Sequence, residues 1–252
     1  SGSCNIDINC DEGENWQDEK RAVCKIIFDN NEICTGTLIN NSNNDGTPYI
    51  LTANHCIRNA TLASSAIYIF SYENSICGNY DGSTELSIMG STLVATDPVS
   101  DLDFSLVKLD ETIPENFNPY FMGWYRGEEE ASKTVCIHHP KGDAKKISLD
   151  NNPPVLGNFG EGYLIDSHWK IEEWESGTTE GGSSGASLIN ENHKIVGTLT
   201  GGEASCGNAI NDYFQKFNIS WDYYNEPAKQ LKKWLDPANT GALQIEGFDP
   251  YR

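Results

Sequence analysis

Short apolar runs separated by turn-forming residues recur along the chain, and their length and alternation predict β-strands rather than helices. In the first half they fall at 23–28, 35–40, 49–52, 66–71, 86–95 and 104–109. In the second half they fall at 134–138, 145–149, 187–189 and 195–200. Many short strands joined by loops such as 40–48 and 77–84 predict an all-β chain built as an antiparallel barrel or sandwich. One segment departs from this pattern. Over 226–235, Pro227 stands in a first-turn position, Leu231, Trp234 and Leu235 recur at helical spacing, and Asp236-Pro237 supplies a stop. A short helix is predicted there, with its Leu/Trp face against the body. The Pro-containing stretch 113–119 is the candidate crossing between two halves, residues 1–112 and 113–252.

With 252 residues the chain is long enough for one large β domain or two packed barrels. Only 38% of residues are hydrophobic, yet the apolar runs recur throughout, which suits strands better than disorder. Those runs fall far short of the roughly 20 apolar residues of a membrane helix, so no membrane span is expected. The chain does not open with a basic region and an apolar core, so any targeting segment is expected to have been removed or never present. A net charge of −20 argues against nucleic acid as a partner, because neutralising phosphates needs clustered Lys and Arg. It serves solubility and would also concentrate basic peptides near the surface. Eight cysteines without a CxxC pair point to disulfides in a secreted protein rather than to a zinc site. Spacing does not choose among their possible pairings.

Three segments carry chemistry when taken in order: Thr52-Ala53-Asn54-His55-Cys56, Asp103-Phe104-Ser105-Leu106 and Gly182-Ser183-Ser184-Gly185. A serine hydroxyl is a weak nucleophile at neutral pH; it needs a histidine to take its proton and an acid to orient that histidine. His55 follows an apolar strand and supplies the base. Among Asp97, Asp101, Asp103 and Asp110, Asp103 is chosen because it begins a buried strand, where a carboxylate needs a specific partner. Asp101 is the runner-up. The glycines flanking Ser183-Ser184 let successive amides point at one spot, so the amides of Gly182 and Ser184 are the candidate oxyanion donors and Ser184 the candidate nucleophile.

These motifs, with Ser1-Gly2-Ser3-Cys4-Asn5-Ile6-Asp7, Ile137-His138-His139-Pro140, Gly201-Gly202, Ser205-Cys206 and Trp234-Leu235-Asp236-Pro237-Ala238, make the chain resemble the secreted bacterial lysyl endopeptidases, which are chymotrypsin-fold serine endopeptidases. The resemblance implies two packed antiparallel six-stranded β-barrels with the triad between them. It also implies synthesis as a precursor, secretion after signal and propeptide removal, and cleavage of protein or peptide substrates after a P1 lysine. No metal or cofactor is expected, and the enzyme would act as a monomer. Trypsin-like enzymes carry an aspartate just before the nucleophile, which pairs with the new N-terminal amine; here that residue is Ser183, so other contacts must hold the oxyanion loop. Their specificity acid lies six residues before the nucleophile, where this chain has Thr178. By resemblance the acid at the base of the P1 pocket is instead Asp212, with Thr200, Gly201 and Gly202 alongside.

Two positions depart from the family pattern. The family stacks a histidine and a tryptophan beside the active site; Thr200 occupies the histidine's position, and Phe159 is the nearest aromatic residue to the tryptophan's. Broader Lys/Arg cleavage is therefore the alternative, and a binding homologue without turnover is a more distant one. The His138-His139 pair is read as structural rather than as a metal site, because adjacent side chains on a strand face opposite sides. The resemblance further implies the disulfides Cys4–Cys206, Cys10–Cys77 and Cys34–Cys56. Cys24 and Cys136 lie outside that pattern, and elimination would pair them.

Overall fold

Burial along the strand Phe104–Leu109 explains how the alternation is realised. Every side chain except Lys108 is buried. Ser105 is accommodated because its hydroxyl donates to the Ile57 carbonyl at 2.7 Å and lies 2.7 Å from the Thr96 hydroxyl, so no polar atom is left unpaired. The computed structural model describes residues 1–252 and folds them into two β-sheets with few, short helices.

The first sheet runs in the order Ser87–Met89, Ile67–Phe70, Val23–Phe28, Glu32–Ile39, Tyr49–Thr52, Phe104–Leu109, Ser91–Asp97. The main path of the second runs Ile6–Asp7, Lys146–Asp150, Thr134–His138, Ser187–Asn190, Lys194–Gly202, Ile210–Lys216, His168–Glu173, Val155–Gly157. Pairing is antiparallel throughout, except that Gly123–Tyr125 joins Lys194–Gly202 in parallel and itself carries Gln244–Ile245. The sheets therefore hold seven and ten strands rather than six each. Gly90 divides the expected run 86–95 in two. Ile6–Asp7, Gly123–Tyr125 and Gln244–Ile245 are too short to leave a hydropathy signal. Ile6–Asp7 also crosses the expected division at 112, pairing with Lys146–Asp150 of the second sheet.

One core of 40 buried residues spans both halves, from Leu38, Leu51 and Leu106 to Val135, Ile147 and Ile189. A second, of nine residues including Trp169, Trp174, Leu188 and Phe214, lies within the second half. This division corrects the fourth disulfide. Cys4–Cys206, Cys10–Cys77 and Cys34–Cys56 are bonded, but Cys24 and Cys136 are buried free thiols. Cys24 packs in the shared core and Cys136 in the smaller one, so the two thiols are buried in separate clusters and do not meet. Burial pushes the Cys24 thiol up to about 12 and raises Cys136 well above the ordinary thiol range.

The helix expected over 226–235 is also revised. Pro227–Lys229 forms one 3₁₀ turn and Lys232–Leu235 one α turn, with Gln230 extended between them. Leu231 N–H donates to the Ser220 carbonyl at 3.0 Å, while the Leu231 and Leu235 side chains are fully buried. Tertiary pairing and burial thus override the local helical preference.

Candidate active site

His55 lies just beyond the strand Tyr49–Thr52 and beside Cys56, whose bridge to Cys34 ties it to the neighbouring strand Glu32–Ile39. Asp103, fully buried with φ +36°, immediately precedes Phe104–Leu109, the strand paired with Tyr49–Thr52. Its Oδ1 accepts the His55 backbone N–H at 3.0 Å, and its Oδ2 lies 2.9 Å from His55 Nδ1. A carboxylate accepts only, so Nδ1 carries the proton and Nε2 presents its lone pair. Nε2 makes no hydrogen bond within the protein; in unliganded sites such bonds commonly close only when substrate binds. The runner-up, Asp101, is engaged elsewhere, accepting the Tyr224 hydroxyl.

The Ser184 turn is shaped by glycine. Gly182 and Gly185 have φ of +94° and +84°, and a β-carbon on Gly185 would lie 2.1 Å from Thr52 Oγ1. The turn meets the His55 side of the molecule directly. Thr35 N–H donates to the Ser184 carbonyl at 2.8 Å, and that oxygen lies 3.7 Å from Cys56 Sγ. The N–H groups of Ser183 and Gly185 are spent on the Glu180 and Leu199 carbonyls, whereas those of Gly182 and Ser184 have no acceptor in the protein. Two free amides on one half-buried turn are suited to an anion.

A buried relay holds Ser183. Glu180 N–H donates to Ser183 Oγ at 3.3 Å, and Ser183 Oγ lies 2.7 Å from His138 Nδ1. His138 Nε2 is 3.0 Å from Ser148 Oγ, which donates to the Thr178 carbonyl at 2.8 Å. Because the Ser148 proton is committed to Thr178, the chain has one consistent direction: His138 donates from Nε2 and accepts at Nδ1 from Ser183. Burial lowers the pKa of His138 to about 3, so the ring stays neutral. His139 makes a separate contact, Nδ1 to the Asp143 carbonyl at 2.9 Å. Near His55, the sulfurs of Cys34 and Cys56 are committed to their disulfide and are not thiolate ligands.

Asp212 lies on Ile210–Lys216, opposite Gly202 on one side and Ile171 on the other, and is 1% exposed. Its Oδ2 accepts from Trp174 Nε1 at 2.7 Å and from Thr179 Oγ1 at 2.6 Å, while Oδ1 has no protein partner. Burial pushes its pKa up to about 6, against both hydrogen bonds. Thr200 Oγ1 lies 3.1 Å from Nε2 of buried His168, and the Phe159 ring sits over Gly201 and packs edge-on against Tyr163 and Tyr213. Burial lowers the pKa of His168 to about 4.

A histidine and an aromatic ring therefore do stand beside Thr200 and Gly201, supplied by His168 and Phe159. Sequence reasoning passed over His168, Trp174 and Thr179. The buried alternation of Trp169 and Ile171 around Lys170 would have marked His168–Glu173 as a strand.

Residues 1–217 match the family model for the lysyl endopeptidase C-terminal domain. A lysyl endopeptidase of Pseudomonas aeruginosa is 32% identical over 242 residues, covering 86% of this chain and 50% of its own length. An uncharacterised protein of Sinorhizobium fredii, y4fB, is 29% identical over 188 residues, covering 70% of this chain and 27% of its own length. The chain thus spans half the length of the first relative and about a quarter of the second. Among solved structures, the protease Anisep of Arthrobacter nicotinovorans superposes with a TM-score of 0.57 at 14% identity, covering 78% of this chain and 90% of that one. The thermostable serine protease AL20 gives 0.56 at 14% identity, covering 78% and 91%. At such identities the structural likeness speaks to the fold.

Proposed function

Since the chain belongs to the lysyl endopeptidase family, we propose that it is a secreted serine endopeptidase that cleaves on the C-terminal side of lysine. The observation that carries this reading is buried Asp103 bonded to His55 at 2.9 Å beside the Ser184 turn. Asp103 fixes the tautomer, so His55 Nε2 takes the Ser184 proton as Oγ attacks the scissile carbonyl. The Gly182 and Ser184 amides receive the resulting oxyanion. His55 then protonates the leaving amine, the C–N bond breaks, and an acyl-enzyme remains. Water, deprotonated by His55, attacks the ester; the bond to Ser184 Oγ breaks, His55 returns the proton to that oxygen, and the acid is released.

Asp212 supplies the P1 selectivity. With Oδ2 already accepting two hydrogen bonds, one oxygen remains for the substrate. A single acceptor suits the compact ammonium of lysine, whereas a guanidinium is best matched by two parallel oxygens. An uncharged P1 side chain would leave the buried carboxylate unpaired. A phosphonofluoridate-type reagent is expected to label the chain at Ser184 and to leave Ser184→Ala unlabelled; an unlabelled wild-type chain would sink the triad assignment. Mapping cleavage sites on an unstructured protein mixture tests the specificity. Cuts after lysine are expected, and comparable cutting after arginine would replace this reading with the broader one.

A further inference from the structure

Glu180 lies four residues before Ser184 and has no part in the chemistry above. Its side chain is only 5% exposed, a cost for a carboxylate unless donors surround it. Three do: Gly2 N–H at 3.1 Å and Asn5 Nδ2 at 2.8 Å reach Oε2, and the Lys141 ammonium reaches Oε1 at 3.0 Å. Burial would raise its pKa, but Gly2, Lys141 and Asn5 together outweigh this and hold it below the usual carboxylate range. Gly2 and Asn5 belong to the N-terminal segment that Cys4–Cys206 fastens to the second half.

The third donor leads into the oxyanion site. Lys141 has φ +53°, a left-handed conformation that a residue with a side chain adopts only at a cost. In that conformation its backbone N–H donates to the Gly181 carbonyl at 2.5 Å. Gly181 C=O and Gly182 N–H belong to one planar trans peptide, so a bond that fixes the carbonyl aims the amide the opposite way. With glycine on both sides, that peptide could otherwise rotate at little steric cost.

We propose that Glu180 is a positioning residue for the oxyanion site: by pairing with Lys141 and the N-terminal segment it keeps the Gly181–Gly182 peptide turned so that the Gly182 amide faces the reacting carbonyl. It thereby does the work that an N-terminal amine and an aspartate do in trypsin-like enzymes. The inference rests on Ser184 being the nucleophile, and the test separates the two.

Glu180→Gln, Glu180→Asp and Lys141→Ala are assayed with a lysyl peptide amide, a peptidyl-lysinal aldehyde and n-butylamine. The aldehyde's hemiacetal oxyanion needs both amides, whereas the amine needs only Asp212. For Glu180→Gln, kcat is expected to fall about 10–100-fold and the aldehyde Ki to rise by a similar factor, the fraction of an oxyanion donor that a misaligned amide forfeits. KM and the n-butylamine Ki should stay within about twofold. Glu180→Asp should recover part of the loss. Lys141→Ala should move kcat and the aldehyde Ki the same way and, with Lys141 60% exposed, leaves the fold intact even where a Glu180 variant does not accumulate. Unchanged kcat and aldehyde Ki in Glu180→Gln and Lys141→Ala, or equal weakening of aldehyde and amine, would overturn the proposal. A wild-type chain indifferent to the aldehyde would instead overturn the endopeptidase reading itself.

Discussion

At the scale of single residues, Asp212 in its proposed place at the base of the P1 pocket gives a pH dependence with a definite sign. Its carboxyl, raised to about 6 by burial, is neutral below that pH and charged above it, while a lysine ammonium stays charged across the whole range. KM for a lysyl ester is therefore expected to rise up to about tenfold per unit as pH falls below about 6; an ester with an uncharged P1 residue should show no such rise. Steady-state KM values from pH 4.5 to 8 would check this. Asp212→Asn should cost about 3–5 kcal/mol in kcat/KM toward lysyl substrates, because the bound ammonium would be left without its counter-charge. The sign for stability is the opposite. A carboxyl whose folded pKa lies above its unfolded one costs the fold stability as pH rises from about 4 to about 6, and the whole cost is present above that, so Asp212→Asn should unfold at no lower a urea concentration than wild type at pH 7.

At the scale of elements, the His55 segment is a strand end braced to its neighbour. The Cys34–Cys56 bridge closes a loop with a sequence separation of 22 residues, and in the chain-entropy model its removal costs about 3 kcal/mol. Cys34→Ser with Cys56→Ser is expected to lower stability by that order in denaturant titration and to lower kcat as His55 loses its tether. Cys24 and Cys136 report on the two cores. Neither should react quickly with a thiol reagent in the native protein, and both should react in denaturant, giving two thiols per chain. A count of zero would restore the fourth bridge. The interrupted helix near the C-terminus shows why such elements are hard to read locally. Its apolar spacing is helical, but the Leu231 amide is taken by Ser220, a partner fixed only when Phe217–Asp222 packs nearby.

At the scale of the whole molecule, a net charge of −20 should attract cationic proteins over distances that salt shortens. For the proposed endopeptidase, kcat/KM toward a lysine-rich unfolded protein is expected to fall several-fold between about 10 mM and 500 mM salt. A short neutral-flanked lysyl peptide should change far less, which stopped assays on both substrates would establish. The β-rich class is legible in the amino-acid sequence alone, because strand alternation is a local property of the chain. The sequence also picks out His55, Asp103 and Ser184 as the candidate triad, because each sits in a short motif whose residue types the chemistry demands. Tertiary structure decided what depends on partners distant in sequence. It joined Ile6–Asp7 to the second sheet, kept Cys24 and Cys136 apart, and brought Trp174 and Thr179 to Asp212 and His168 to Thr200. These are buried polar contacts between separate strands and loops, and their energies exist only once water has been excluded around both members of each pair.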